Sequence, residues 1–112
     1  MKLVEKHCLP CEGGTPPLQD REIKELITQV PSWSLKEGHL YRSFKFERFL
    51  EAIDFVNSIA RIAEEEGHHP DISIHYNRVE VQVWTHAIKG LSENDFILAS
   101  KIDRLLNTPV PL

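Results

Sequence analysis

The sequence predicts an α+β fold: a four-stranded antiparallel sheet with helices packed on one face, a two-layer sandwich. Three observations lead there. Three segments repeat their apolar residues at steps of three and four, four shorter segments alternate apolar with polar residues, and the alternating segments come in two pairs, each joined by turn residues.

Taken in order, Ile23, Leu26, Ile27 and Val30 form the stripe of a short helix over residues 19–30, which Pro31 ends. Trp33 and Leu35 alternate with serines as a short strand, Gly38 marks a turn, and residues 40–46 have the aromatic-rich composition of a second strand. A longer helix is expected over Phe49–Glu66, because Phe49, Ile53, Val56, Ala60 and Ala63 recur at steps of four and three, with Glu51, Asp54, Asn57 and Arg61 on the other face. Ile72, Ile74 and Tyr76 alternate with Ser73 and His75, and Val79, Val81 and Val83 with Glu80, Gln82 and Trp84. Asn77 and Arg78 are left as the two-residue turn of a second hairpin. Ser92 precedes a run holding Phe96, Ile97, Ala99, Ile102, Leu105 and Leu106, so a last helix starts near Glu93 and stops before Pro109.

At 112 residues, 41% hydrophobic and 27% charged, the chain supports one core. Residues 18–112 are expected to form a single domain. Residues 1–17, with Gly13, Gly14, Pro10, Pro16 and Pro17 and no apolar period, read as an irregular arm. No apolar run reaches the roughly 18 residues of a membrane span, and residues 1–6 alternate charge with apolar side chains, so a cytoplasmic protein is expected. A net charge of -4 gives no general attraction to nucleic acid or to an anionic membrane. Cys8 and Cys11 are the only cysteines, too few for a disulfide framework or a four-thiolate zinc site. With His7 they read most simply as incidental thiols on the arm.

The histidines carry the chemistry. A turn at Asn77 and Arg78 pairs Tyr76 with Val79, His75 with Glu80, Ser73 with Gln82 and Ile72 with Val83, and carried further it sets His69 opposite His86. Opposed residues have Cβ atoms about 5 Å apart, so His68, His69 and His86 would address one small ligand. Gly67 suits a left-handed helix cap, and Pro70 holds His69 extended. Glu64, Glu65 and Glu66 stand in the last helical turn against the dipole; a carboxylate there would orient an imidazole, although a solvated acidic helix end accounts for the run equally well. His39 reads as a turn residue, His75 as a cross-strand partner of Glu80, and Trp84 as packing or interface, outside the site.

The spacing Glu64, three residues, His68, His69, Pro70, five residues, Tyr76, nine residues, His86, eight residues, Asp95 resembles that of the pterin-4a-carbinolamine dehydratases, also called 4a-hydroxytetrahydrobiopterin dehydratases. The likeness continues through Thr85 and the Gly90, Leu91, Ser92 segment, and upstream through Trp33 and Phe44 to Phe46, over roughly residues 18–106. The resemblance implies a hydro-lyase that dehydrates 4a-hydroxytetrahydropterin to quinonoid dihydropterin, recycling the pterin cofactor of aromatic amino acid hydroxylases. It implies no metal and no organic cofactor. It also implies a homodimer or homotetramer, with a pterin-dependent hydroxylase in the same pathway. Among the catalytic residues His68, His69 and His86, it makes His69 and His86 the acid and base and His68 mainly a binding group oriented by Glu64. It draws substrate contacts from Glu64, His68, His69, Pro70, Thr85, His86, Ala87 and Ile88. Imidazole suits the task, because it titrates near the working pH.

Asp95 fits a helix cap three residues after Ser92 as well as a site carboxylate, with support of His86 slightly favoured. Two rival readings stand beside the dehydratase. Three imidazoles could hold a zinc ion, but adjacent His68 and His69 point to opposite sides of an extended chain. The other rival is a non-enzymatic partner that stabilises the dimers of other proteins, a transcription factor among them, as the resemblance also implies.

Overall fold

The computed structural model describes residues 2–10 and 16–107. Three helices, α1 (Asp20–Ile27), α2 (Phe49–Glu66) and α3 (Glu93–Asn107), accompany four strands, β1 (Ser34–Lys36), β2 (His39–Lys45), β3 (Asp71–His75) and β4 (Arg78–Val83). The strands form one antiparallel sheet in the order β1-β2-β4-β3. The expected α+β class and both hairpins are present. The long connection through α2 carries the chain to the far edge, and β4 returns between β3 and β2.

Alternation explains which face is covered. Leu40 and Phe44 lie opposite Val83 and Val79, and these four, with Val81, are buried beneath Phe55, Ile59, Phe96, Ile97 and Ile102 of the helices. Each fully buried aliphatic or aromatic side chain contributes about 2 kcal/mol, so this layer supplies most of the drive to fold. Arg42 interrupts the apolar row at the position opposite Val81 and is compensated there by Asp103 of α3, which also accepts the indole N–H of Trp33 at 2.8 Å. The first hairpin turns at Glu37 and Gly38, both at positive φ (54° and 79°), which suits the right-handed twist of the strands.

Three sequence expectations are corrected. The first helix ends at Ile27, and Val30 reaches the core through a following turn in which its N–H bonds Ile27 O at 3.1 Å; the ring of Pro31 disfavours helical geometry at Val30. On α2 the buried stripe is Ala52, Phe55, Ile59 and Ala63, while Phe49 and Ala60 are exposed. This helix has apolar residues on more than one face, and contact with the sheet selected the row whose alanines permit close approach. The second hairpin turns at Tyr76 and Asn77, so Ile74 faces Val79, Ile72 faces Val81 and His75 faces Arg78. Tyr76 takes the left-handed conformation (φ 53°), and Asn77 is held by the end of β2, its N–H₂ bonding Phe46 O and its own carbonyl accepting from Phe46 N, both at 2.8 Å. A slip of two residues keeps every side chain on its expected face but removes the direct opposition of His69 and His86.

Candidate active site

The histidines meet by another route. At the end of α2, Gly67 adopts φ 63°, its N–H reaching the carbonyls of Ala63 and Glu64, and the N–H of His68 bonds Ala63 O at 3.2 Å. The expected left-handed cap thus turns the chain sharply, and His68 and His69 leave it in different directions. His68 Nε2 lies 2.6 Å from Asp95 Oδ1, and His69 Nε2 lies 2.8 Å from Glu64 Oε1. Carboxylates accept, so each Nε2 carries hydrogen and each Nδ1 is the nitrogen left for other work.

The opposite wall comes from the segment after β4. The strand ends at Val83, and Thr85 and Gly90 close a loop by bonding each other's backbone (2.9 and 3.4 Å) around a 3-10 turn at His86–Ile88. Lys89 within it has φ 51°. A Cβ at Gly90 would stand 2.8 Å from Pro17, so only glycine permits this loop to close against the chain that enters the domain. His86 therefore lies on a turn, beyond the pairing of β3 with β4.

His68, His69, Thr85, His86 and Ala87 line one cleft of about 410 Å³, together with Gly67, Trp84, Glu66, Asn94, Cys8, Leu9 and Pro10. Of the expected contact residues, Glu64, Pro70 and Ile88 are not in its wall; Ile88 is buried, and Glu64 acts on the cleft through His69.

Asp95 joins the two walls. Fully buried, it accepts from His68 through Oδ1, and through Oδ2 from the Thr85 hydroxyl (2.9 Å) and the Ser92 backbone N–H (2.8 Å). It caps α3 and also bonds His68 from behind the cleft wall, two placements that looked like alternatives in the sequence. The carboxylate partners are redistributed accordingly. Asp95 serves His68 rather than His86, and Glu64 serves His69 rather than His68, because the cap after α2 swings His68 inward over the start of α3.

His86 has looser support. Its ring centroid lies 3.9 Å from that of Trp84, whose other side stacks on His39 at 4.3 Å with an interplanar angle of 9°. The Trp84 indole N–H donates to Asp71 Oδ2 at 3.0 Å, and His86 Nε2 stands 3.9 Å from the same oxygen. Sequence reasoning left Trp84 outside the site; its alternation with Gln82 on the polar face, one residue before Thr85, was the available signal. Cys8, Leu9, Pro10 and Asn94 carried no signal, since the arm and α3 are separated by more than 80 positions. Cys11 lies outside the described residues.

Two groups near the cleft have shifted acidity. Burial, reinforced by the negative charges of Glu66 and Asp95, pushes the Cys8 thiol up to about 12. Burial also raises Glu66, but the Cys8 N–H, His7 and the Lys101 charge outweigh it and hold the carboxyl below its ordinary value. Among the described residues, no group of three or more His, Cys, Asp or Glu side chains has metal-holding geometry, and no helix is long and apolar enough to cross a membrane.

The family model described as pterin 4 alpha carbinolamine dehydratase matches residues 16–105. A protein of Rubrobacter xylanophilus with the provisional name pterin-4-alpha-carbinolamine dehydratase is 51% identical over 105 residues, covering 93% of this chain and 98% of its own. A Rickettsia canadensis protein of the same provisional name is 52% identical over 103 residues, 90% of this chain and 94% of its own. Among solved structures, the transcriptional coactivator/pterin dehydratase from Brucella melitensis superposes with a TM-score of 0.76 at 33% identity, over 80% of this chain and 97% of that one. A pterin dehydratase-like RuBisCO assembly factor of the alpha-carboxysome shares the fold at 23% identity, with a TM-score of 0.56 over 69% of this chain and 89% of that one. All three histidines and their three carboxylate partners lie within residues 16–105; because the family model matches that span and relatives 51% and 52% identical cover 93% and 90% of this chain, the chain belongs to the pterin 4 alpha carbinolamine dehydratase family.

Proposed function

We propose that this protein is a hydro-lyase that dehydrates a 4a-hydroxytetrahydropterin to the quinonoid dihydropterin, with His69 and His86 as the acid-base pair and His68 as a binding group. The observation that carries it is the convergence of three imidazoles on one cleft, each with its own carboxylate. In the reaction one imidazolium gives a proton to the 4a oxygen, the C4a–O bond breaks, and water leaves. A neutral imidazole takes the proton from N5, whose electron pair closes the C4a–N5 double bond. His69 and His86 suit this exchange because both rings are more than half exposed at the cleft and free to pass protons to solvent between turnovers. His68, 13% exposed and fixed by Asp95, suits a stationary contact to the pterin.

The product would return to a pterin-dependent hydroxylase by way of a reductase. Phe49, Leu50, Ile74 and Tyr76 are exposed on α2 and beside the edge strand β3, which supports association with further copies of this chain into a dimer or tetramer. The same surface supports the second reading, a protein-binding partner, as the name transcriptional coactivator suggests for the Brucella protein.

Stopped-flow absorbance of chemically generated 4a-hydroxytetrahydropterin tests the first reading. The unmodified chain is expected to accelerate dehydration, and His69→Ala and His86→Ala to lower the rate about a hundredfold or more. No acceleration by the unmodified chain overturns the enzyme reading and puts the binding partner first.

A further inference from the structure

Residues 2–10 lie outside the segment that matches the family, yet Cys8, Leu9 and Pro10 line the cleft. Their first half is an anchor. Leu3 sits in the hydrophobic core, Lys101 Nζ bonds Val4 O at 3.0 Å, and Lys6 pairs with Glu93 at 2.9 Å.

The second half is a latch. Cys8 N–H donates to Glu66 Oε1 at 2.8 Å, Leu9 N–H donates to Asn94 Oδ1 at 2.9 Å, and Asn94 Nδ2 donates back to Leu9 O. The Asn94 amide thus bonds Leu9 at both its donor and its acceptor, as a neighbouring strand would. The other oxygen of Glu66 takes His7 Nδ1 at 3.0 Å and Lys101 Nζ at 3.6 Å. Glu66 and Asn94 are nearly inaccessible, with 5% of the Glu66 side chain and 7% of Asn94 exposed. A carboxylate buried at the negative end of a helix is unfavourable unless it is matched. Here the match comes from the arm and from Lys101.

What the latch holds in place is the Cys8, Leu9, Pro10 segment, in the wall of the cleft that contains His68, His69 and His86. Leu9 is left 73% exposed, an apolar side chain at the cleft that no other described residue covers. A flat heterocycle entering the cleft would cover it and gain apolar contact. The Cys8 thiol donates to Asn94 O at 3.6 Å and stays protonated at neutral pH, which makes it a packing group rather than a nucleophile.

We propose that Cys8, Leu9 and Pro10 form a substrate-binding wall of the dehydratase site, with Leu9 and Pro10 against the pterin and Glu66 and Asn94 as positioning residues that act through the arm. This inference rests on the dehydratase reading. Its consequence is a division of labour: the arm and His68 govern how tightly the pterin is held, and His69 and His86 govern proton transfer.

Two measurements on the full chain test it. In steady-state dehydration, Asn94→Ala is expected to raise KM about tenfold with kcat within about twofold, as loss of the paired latch bonds would do. Leu9→Ala, at an exposed position that leaves folding undisturbed, is expected to raise KM about threefold. Hydrogen exchange of the unmodified chain with and without oxidised biopterin gives the readout independent of turnover. Slowed exchange at residues 7–9 as well as at residues 68–69 and 85–87 supports the wall. Protection of the histidine segments alone, or KM values unchanged in both variants, overturns the arm inference while leaving the dehydratase standing. Absence of pterin binding to the unmodified chain overturns both.

Discussion

His68 and His86 belong to the same cleft and are held in opposite ways. His68 follows a left-handed glycine cap, is 13% exposed, and bonds a carboxylate that is itself buried and fixed by two further donors. His86 sits on a short 3-10 turn, is 59% exposed, and leans on an indole with its nearest carboxylate oxygen at 3.9 Å. A charge-assisted bond inside a satisfied network keeps a ring in one orientation, whereas ring stacking leaves it free to pivot. The contrast teaches that His68 is held in one orientation while His86 is left free to pivot, a difference that suits the proposed roles of binding for the one and proton exchange for the other.

Replacing Asp95 should break the contrast most completely. Asp95→Ala leaves the buried Thr85 hydroxyl, the Ser92 N–H and His68 without their acceptor, and a stability loss of about 3 kcal/mol in urea denaturation is expected. A loss below about 1 kcal/mol would mean that the network does not hold the rigid wall. Next in size is the pair of histidine variants compared by rate and stability together. His86→Ala should slow dehydration about a hundredfold while changing stability by no more than about 0.5 kcal/mol. His68→Ala should cost stability, about 1 to 2 kcal/mol, because it strips a buried carboxylate of a donor. Equal stability losses in the two would erase the distinction.

Trp84 sharpens the mobile side. Trp84→Ala should lower kcat about tenfold, and Trp84→Phe, which keeps a ring beneath His86 but lacks the bond to Asp71, should recover most of it. If both variants behave alike, the stacked ring does not position His86. The smallest effect belongs to the rigid side and to acid. Glu66 titrates below its ordinary value of 4.5 in the folded chain, so its stabilisation is present above that pH and is lost as pH falls through the lowered folded value. His7, Lys101 and Cys8 face it. Glu66→Gln should flatten this acid limb in a pH series of thermal melts; an unchanged slope would exclude Glu66 as its source.

The sequence by itself determined the class of fold, the bounds of α2 and the buried face of β4, because these follow from period and from single residues with one conformational use. Gly67 was legible as a left-handed cap for the same reason. The family resemblance carried by their spacing grouped His68, His69 and His86, and all three line one cleft, although the strand register first read for them does not hold. Only the tertiary structure decided the pairings. The hairpin slipped by two residues because the end of β2 holds Asn77, a contact 31 positions away that a reading of the hairpin alone does not contain. Asp95 went to His68 and Glu64 to His69 because the direction in which the chain leaves the cap depends on what α3 presents beneath it. The arm entered the cleft wall because Glu66 and Asn94, which in the sequence are one more acid at a helix end and one more polar residue at a helix start, become buried acceptors only when the two helices pack together. Local periodicity selects elements and faces, and the choice of partner for each polar group is made where distant segments meet and every buried donor must find an acceptor.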